Sequence, residues 1–224
     1  MSKATQKDKP KKNKRALSVA DVLNYNPEII PFEGKWRDAI GLPELKGAWI
    51  IDGESGEGKT SFAMQLGKYF CQIGKRTAYD SIEEGVSKSI QDAYIRTGMS
   101  DVSGKFLLLD KEPVDELKER LKKRRSPDVI IIDSVQYTGL TTKEYKELVD
   151  DFPNKLFIFI SHADGLKPKG ALAQAIYYDA FVCIRVKGFI AFVKKSRYGG
   201  AGEITISEHK AHEYWAMATT KDKE

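Results

Sequence analysis

The chain has 224 residues, of which 41% are hydrophobic and 31% are charged, and its formal net charge is +5. This length and apolar content suit one domain with a sizeable core, and no apolar run approaches the roughly 18 residues of a membrane span. The polar N-terminus argues against a secretory signal peptide and the distant cysteines, Cys71 and Cys183, form no metal-ligand pair, so we expect a cytoplasmic protein without structural disulfides.

Most of the positive charge lies in residues 1–15. This segment has seven basic residues and one acid, Asp8, and so carries +6, which leaves the rest of the chain near −1. It has almost no apolar side chain to bury, so we expect a disordered tail. The tail either contacts nucleic acid phosphates as a flexible arm or merely aids solubility, and both interpretations stay open. The basic residues are Lys3, Lys7, Lys9, Lys11, Lys12, Lys14 and Arg15.

Residues 16–46 form a lead-in to the main domain. The apolar residues between Leu17 and Leu23 predict a short helix. Pro27, Pro31 and Pro43 then favour extended or turn structure. We expect this lead-in to pack on the core or on a neighbouring molecule.

The most informative motif begins at Gly53. The sequence Gly53-Glu54-Ser55-Gly56-Glu57-Gly58-Lys59-Thr60 fits G-x-x-x-x-G-K-[ST], the phosphate-binding P-loop. An apolar strand precedes it, and a helix pattern from Phe62 follows it. We assign Ser61, directly after the motif, to nucleotide binding as well. Backbone N–H groups of the loop and the helix N-terminus would face the phosphates. Lys59 would reach the β- and γ-phosphates and Thr60 would hold Mg²⁺, so we predict ATP or GTP as the ligand.

From residue 47 to residue 210, strand and helix patterns alternate. Repeated βα units with fully apolar strands predict a mainly parallel sheet that is covered on both faces. Two later apolar segments, 181–186 and 189–193, flank Lys187-Gly188 as an antiparallel hairpin, and Ile204 and Ile206 favour a last strand. Residues 211–224 are interpreted as a C-terminal tail. The parallel strands are predicted near 48–51, 77–81, 106–109, 129–132 and 156–160.

Acidic residues follow two of these strands. Asp133 ends the strand at 129–132, at the carboxyl edge where such folds bind ligands, and can orient Mg²⁺ or its water there. Glu83 and Glu84 follow the strand at 77–81, and a carboxylate at that place can polarise the water that attacks a γ-phosphate. Adjacent acids are also common in the first turn of a helix, so the pattern leaves both residues open.

Together these features resemble the RecA-like ATPases, the family of RecA, RadA and the DnaB-type ring helicases, over about residues 46–207. The resemblance implies a three-layer α/β P-loop fold with bound ATP and Mg²⁺. It also implies that Glu83 is the catalytic glutamate, because Ala78-Tyr79-Asp80-Ser81 leads to this position in the way the family's strand does. Asp133-Ser134-Val135-Gln136 is also close to the sequence with which the family's Walker B strand usually continues.

The resemblance assigns further residues later in the chain. Lys195-Ser196-Arg197 is similar to the Lys-x-Arg that reaches the neighbouring subunit's nucleotide, which implies catalytic roles in trans for Lys195 and Arg197. Ser161 or His162 matches the polar residue that senses the γ-phosphate, and His162 can do so by hydrogen bonding. The loops around Tyr137 and at 164–170 either contact DNA or are plain connections.

The resemblance implies an oligomeric ATPase, ring or filament, that acts on single-stranded DNA in replication or recombination together with other replication or recombination proteins. The zinc motif and protease-like domain of bacterial RadA are missing, as is the primase-binding domain of DnaB-type helicases. By analogy we expect a minimal motor core of the phage or prophage type. The alternative is an ATP-switched loader or regulatory assembly module without translocation. A small-molecule kinase or GTPase is disfavoured because N-K-x-D and an arginine-bearing lid are absent.

Overall fold

The computed structural model describes residues 15–221. The basic tail predicted for residues 1–15 lies outside the described residues, except for Arg15. Within this range, no helix is long and apolar enough to cross a membrane. The helices are α1 (Val19–Leu23), α2 (Gly34–Ile40), α3 (Lys59–Gln72), α4 (Lys88–Thr97), α5 (Val114–Leu121), α6 (Thr142–Asp151), α7 (Ala171–Asp179) and α8 (Glu208–Lys221).

A mixed β-sheet runs through the middle of the molecule. Its strands are β1 (Gly47–Gly53), β2 (Thr77–Ser81), β3 (Phe106–Leu109), β4 (Val129–Asp133), β5 (Leu156–Asp164), β6 (Lys167–Pro168), β7 (Val182–Lys187), β8 (Ile190–Ser196) and β9 (Glu203–Thr205). The order is β3-β2-β4-β5-β1-β7-β8-β9, and β6 pairs with β5. Pairs from β3 to β7 along this order are parallel, and the remaining pairs are antiparallel. The predicted mainly parallel sheet with an antiparallel C-terminal hairpin is confirmed.

Helices cover both faces of this sheet. One apolar cluster joins strand residues such as Ile51 to Phe62 of α3. The other joins Ile50 to Leu117 of α5 and Ile176 of α7. Neighbouring residues of β1 enter different clusters because successive side chains of a strand point to opposite faces. The predicted three-layer α/β architecture is therefore confirmed.

The lead-in contains more helix than its prolines predict. Helix α1 matches the expected short helix, but α2 lies where extended or turn structure was predicted. Pro31 and Pro43 flank α2 without interrupting it, and Trp36 and Ile40 are buried on one face, four residues apart. Trp36 also stacks on Tyr69 of α3, with ring centroids 5.3 Å apart. Helix α2 thus belongs to the main core, whereas α1 has no buried residue.

The segment predicted as a tail from residue 211 also carries a helix, α8. Ala211, Tyr214 and Trp215 have the three- and four-residue spacing of a helix face. Tyr214 and Trp215 pack over Gly188 in the turn between β7 and β8, where a Cβ atom would lie 2.3 Å from the Tyr214 ring. Helix α8 therefore rests on the β7–β8 hairpin, beside the end of β1.

Candidate functional site

The P-loop motif lies between the end of β1 and the start of α3, as its sequence predicts. Gly58 is the residue before α3 and has a φ of 103°, a conformation that side chains with a Cβ atom rarely adopt. At Gly53, a Cβ atom would lie 2.3 Å from the Val186 carbonyl oxygen of β7. Both glycines are thus required by geometry, one by backbone conformation and the other by the close approach of a neighbouring strand.

Lys59, the cation of this loop, is buried, with 9% of its surface exposed. Its ammonium donates to the Glu54 carbonyl oxygen across the loop at 2.7 Å. Burial lowers the pKa of Lys59, and the nearby carboxylates, Asp133 first among them, oppose this shift. Phosphate oxygens that replaced the carbonyl would give this partly desolvated ammonium a charged acceptor, which makes a stronger hydrogen bond.

Thr60 and Asp133 meet at the carboxyl edge of the sheet. The Thr60 hydroxyl donates to Asp133 Oδ2 at 3.4 Å, and the Tyr79 hydroxyl of β2 donates to the same oxygen. Burial raises the pKa of Asp133, and the hydrogen bond from Tyr79 acts in the opposite direction. A hydroxyl and one carboxylate beside a phosphate site are the oxygen donors that Mg²⁺ takes in nucleotide sites, so these residues fit the predicted metal.

Glu83 lies between two other polar groups of the site. Ser134, which follows β4, donates its hydroxyl to Glu83 Oε2 at 3.0 Å. The Nε2 atom of His162 is 3.2 Å from the same oxygen. Glu84, by contrast, is exposed and accepts a hydrogen bond from Ser87 at the start of α4. The geometry thus joins Glu83, rather than Glu84, to residues from β4 and β5.

Ser161 and His162, which the sequence left as alternatives, have different surroundings. Ser161 is fully buried and accepts a hydrogen bond from Gln136 Nε2 at 2.8 Å. The same Gln136 nitrogen donates to the Lys169 carbonyl oxygen at 2.8 Å. His162 instead lines the cavity beside the P-loop and makes an edge-to-face contact with Tyr137. Of the two, only His162 lines this cavity.

A cavity of about 340 Å³ gathers most of the predicted residues. Its predicted lining residues are Ser55, Gly56, Gly58, Lys59, Thr60, Ser61, Glu83, Glu84, Asp133 and His162. Glu54 and Glu57 line a different cavity, of about 850 Å³, on the other side of the loop. Both candidates for the water-activating carboxylate, Glu83 and Glu84, therefore lie at the same edge of the sheet as the P-loop residues of this cavity.

Five further lining residues of this cavity were not assigned to the site from the sequence: Ser81, Ser89, Arg96, Phe189 and Lys210. Phe189 has a positive φ of 58° and donates its N–H to the Glu57 carbonyl oxygen at 3.1 Å. Arg96 donates to the Ser61 hydroxyl at 3.2 Å, and the Lys210 ammonium lies 5.0 Å from the centre of the Phe189 ring. A hairpin turn was predicted at Lys187-Gly188, but no local signal brings it to the P-loop.

Helix α8 also reaches the P-loop. The Tyr214 hydroxyl donates to Glu57 Oε1 at 3.1 Å, across 157 residues of sequence. The other oxygen of this carboxylate accepts the N–H of Glu54 at 3.3 Å. Glu57 is thus held by its own loop and by α8.

Lys195 and Arg197 lie far from the P-loop of their own chain. Because β8 runs antiparallel to β7, Arg197 is at the opposite edge of the sheet, where its N–H donates to the Phe181 carbonyl oxygen at 3.1 Å. Phe181 in turn binds Ala48 at the start of β1, and a strand rise of about 3.3 Å per residue puts Gly53 roughly 16 Å further on. The Arg197 guanidinium covers the Phe181 ring at 4.9 Å.

Lys195 has protein partners at this far edge. Its ammonium donates to the carbonyl oxygens of Tyr178, at 3.2 Å, and Tyr177, at 3.4 Å. These carbonyls belong to the last turn of α7, where a cation is favourable because it faces the negative end of the helix dipole. The predicted pair therefore meets neither its own P-loop nor Glu83 within one chain.

Comparisons with known proteins agree with this architecture. No protein-family model matches the chain. A stretch of 102 residues is 28% identical to the DNA repair protein RadA of Chlamydia trachomatis serovar D; it covers 45% of this chain but only 22% of that protein. The flagellar accessory protein FlaH of Methanocaldococcus jannaschii has a similar structure, with a TM-score of 0.56 and 20% identity, over 79% of this chain and 92% of FlaH. The chain has a RecA-like P-loop ATPase fold.

Proposed function

We propose that this chain binds and hydrolyses ATP, and that it works as an oligomer on single-stranded DNA in replication or recombination. One observation carries the ATPase part of this proposal. The phosphate loop, the Thr60–Asp133 contact and the Glu83–His162 contact, which come from four different parts of the sequence, converge on a single cavity. This arrangement would supply a phosphate cradle, a metal position and a general base within one site.

The loop and its lysine would hold the phosphates of ATP. Backbone N–H groups at the start of α3 face the cavity with the positive end of the helix dipole, and Lys59 exchanges the Glu54 carbonyl for the β- and γ-phosphates. Thr60 and Asp133 would hold Mg²⁺, which, when bound, supplies positive charge to the phosphate oxygens. The smaller space of about 190 Å³ beside Ser61, Arg96 and Phe189 would accept the nucleoside.

Glu83 would act as the general base. Its carboxylate takes a proton from water while the water oxygen attacks the γ-phosphorus and the bond to the β-γ bridging oxygen breaks, which gives ADP and phosphate. Ser134 and His162 hold the Oε2 atom of this carboxylate, so the base is oriented before the substrate arrives. Such preorganisation is the main way in which an enzyme favours phosphoryl transfer.

The loops after β4 and β5 would contact DNA and couple DNA binding to the ATPase site. Tyr137 and Leu166 are 57% and 95% exposed, and an exposed aromatic ring can stack on an unpaired base. Gln136 connects the two loops, because it binds both Ser161 and the Lys169 carbonyl. His162 follows Ser161 directly and contacts Glu83, so a shift of either loop would reach the general base.

The test of this function is the effect of DNA on ATP hydrolysis. We expect single-stranded DNA to raise the steady-state rate of phosphate release several-fold, and duplex DNA of the same sequence to raise it less, because stacking needs unpaired bases. Phosphate release is measured with no DNA, with single strands and with duplex, at one fixed salt concentration. Hydrolysis that ignores all DNA would instead favour an ATP-switched loader or assembly module.

Replacement of Glu83 by glutamine should slow hydrolysis by at least about 10²-fold, the usual weight of a general base. The variant keeps the size of the side chain and removes its charge, so nucleotide binding should persist. Glu84→Gln is the matched control because Glu84 follows directly in the chain but binds Ser87 instead of Ser134. Single-turnover hydrolysis and equilibrium nucleotide binding separate the two effects. A large loss in Glu84→Gln with normal turnover in Glu83→Gln would move the base by one residue.

A further inference from the structure

We propose that Tyr79 is a positioning residue of the metal site, whose hydroxyl fixes the Asp133 carboxylate opposite the Thr60 hydroxyl. The proposal deepens the proposed function and rests on it, since it assumes that Thr60 and Asp133 hold Mg²⁺. A tyrosine in an apolar strand is usually read as core, and the sequence gives no sign that its hydroxyl reaches the site.

Sheet register brings the Tyr79 hydroxyl to Asp133. Tyr79 of β2 is level with Ile131 of β4, and both residues point into the same apolar cluster. Asp133 lies two residues further along β4 and therefore on the same face. Two residues of strand span roughly 6.6 Å, about the length of a tyrosine side chain. A side chain that leans along the strand direction therefore ends at the carboxylate, as the Tyr79 contact with Asp133 Oδ2 records.

The surroundings of Tyr79 leave its hydroxyl little freedom. The side chain is fully buried, and its ring stacks on Phe106 of β3, with centroids 6.4 Å apart. The ring is thereby held by packing while the oxygen is directed at one acceptor. Because packing restrains the ring, the hydroxyl keeps one position and can hold the carboxylate that it binds in one orientation.

The orientation of the Asp133 carboxylate depends on its hydrogen-bond partners. The torsion that turns a carboxylate about its last bond is broad, so the strand alone does not fix the plane of its two oxygens. Thr60 and Tyr79 both donate to Oδ2, and a carboxylate has about four lone-pair positions, so room for a metal or its water remains. Hydrogen-bond partners of ligating groups commonly contribute 10- to 100-fold to metal affinity.

Another buried tyrosine supplies a matched control. Tyr145 of α6 is also fully buried and donates to an aspartate, Asp179 Oδ2, at 2.7 Å. It belongs to the apolar cluster on the other face of the sheet and does not line the P-loop cavity. Tyr145→Phe therefore removes a hydrogen bond from a buried tyrosine to an aspartate, here an exposed one, without touching the site.

The experiment compares Tyr79→Phe, Tyr145→Phe and Asp133→Asn by equilibrium binding of a fluorescent ADP analogue. Binding is measured first in EDTA and then during a titration with MgCl₂. We expect all three variants to bind the analogue normally in EDTA, because the loop and Lys59 are intact. We expect the Mg²⁺ concentration at half-effect to rise roughly 10- to 100-fold in Tyr79→Phe and to stay at the parent value in Tyr145→Phe.

Two results would overturn the proposal in different ways. If Asp133→Asn raises the Mg²⁺ midpoint and Tyr79→Phe leaves it within about twofold of the parent, Tyr79 has no positioning role and the proposed metal ligands stand. If neither variant changes the midpoint, the metal assignment itself fails and the role of Tyr79 fails with it. A double variant adds a second check, because Tyr79→Phe should cause no further shift once Asp133 is already asparagine.

Discussion

The Lys59→Ala variant is expected to lose ATP hydrolysis entirely and to bind nucleotide roughly 10- to 100-fold more weakly. Hydrogen bonds to charged groups contribute about 1.5–3 kcal/mol, which corresponds to this range of affinity. The loss of turnover should be larger, because the same ammonium also meets the charge that develops on the transferred phosphoryl group. Phosphate release and calorimetric titration with ATP measure the two quantities separately.

Lys68→Ala is the control for this substitution. Lys68 lies on the same helix, α3, and its ammonium also binds a backbone carbonyl, that of Thr97 at 3.0 Å, together with Asp101. Lys68 itself lines neither the P-loop cavity nor the space proposed for the nucleoside, so nucleotide affinity should stay at the parent value. Normal turnover in Lys59→Ala, with thermal unfolding unchanged, would show that this loop is not the phosphate site.

The Arg197→Ala variant should lose about 10³- to 10⁵-fold in turnover, the usual weight of a cation that one subunit inserts into another's phosphoryl site. Arg197 is at the sheet edge opposite its own P-loop, so we expect it to act on a neighbour's nucleotide. Mixing tests this directly, because Arg197→Ala keeps an intact loop and Lys59→Ala keeps an intact arginine. In an equal mixture, about a quarter of head-to-tail interfaces pair the two intact halves, and activity should return in proportion.

The mixture needs evidence that the two variants assemble together, which differently labelled subunits and energy transfer provide. Lys194→Ala is a useful comparison, since Lys194 is a cation of β8, the strand that ends just before Arg197, and lies over the Phe192 ring. Its hydrolysis should remain near the parent rate. Co-assembly without any recovered activity would mean that Arg197 serves its own chain, through its contact with Phe181, and not a neighbour.

The positions of the polar groups at the sheet edge were largely predictable from sequence, because each group follows a strand directly. The P-loop spacing, the apolar run that ends at Asp133 and the acids after β2 are local patterns. Parallel strands bring their carboxyl ends to one edge, so a prediction of the strands also predicts that these groups meet. The residue pattern alone left Glu83 and Glu84 open, and the family resemblance implied Glu83. The contacts of Glu83 with Ser134 and His162 support this proposal.

Other features depended on approach between distant parts of the chain. Phe189, Arg96 and Tyr214 reach the P-loop from the β7–β8 turn, α4 and α8, and no spacing rule records such contacts. Lys195 and Arg197 lie at the far edge of the sheet because β8 runs antiparallel to β7. The predicted hairpin implied this direction, but a comparison of motifs does not take strand direction into account. Helix α2 was missed because its flanking prolines were read as disrupting it.

Glu57 gains two of its contacts from residues that are synthesised much later than the P-loop. Phe189 binds the backbone of this residue and Tyr214 binds its side chain, yet both are synthesised long after the motif itself. Chains emerge from the ribosome N-terminal end first, so the complete phosphate motif exists for some time without its partners. A nascent chain that stops before α8 would carry every motif residue and leave the Glu57 carboxylate without Tyr214. Glu57 can therefore gain both of these partners only after α8 has been synthesised.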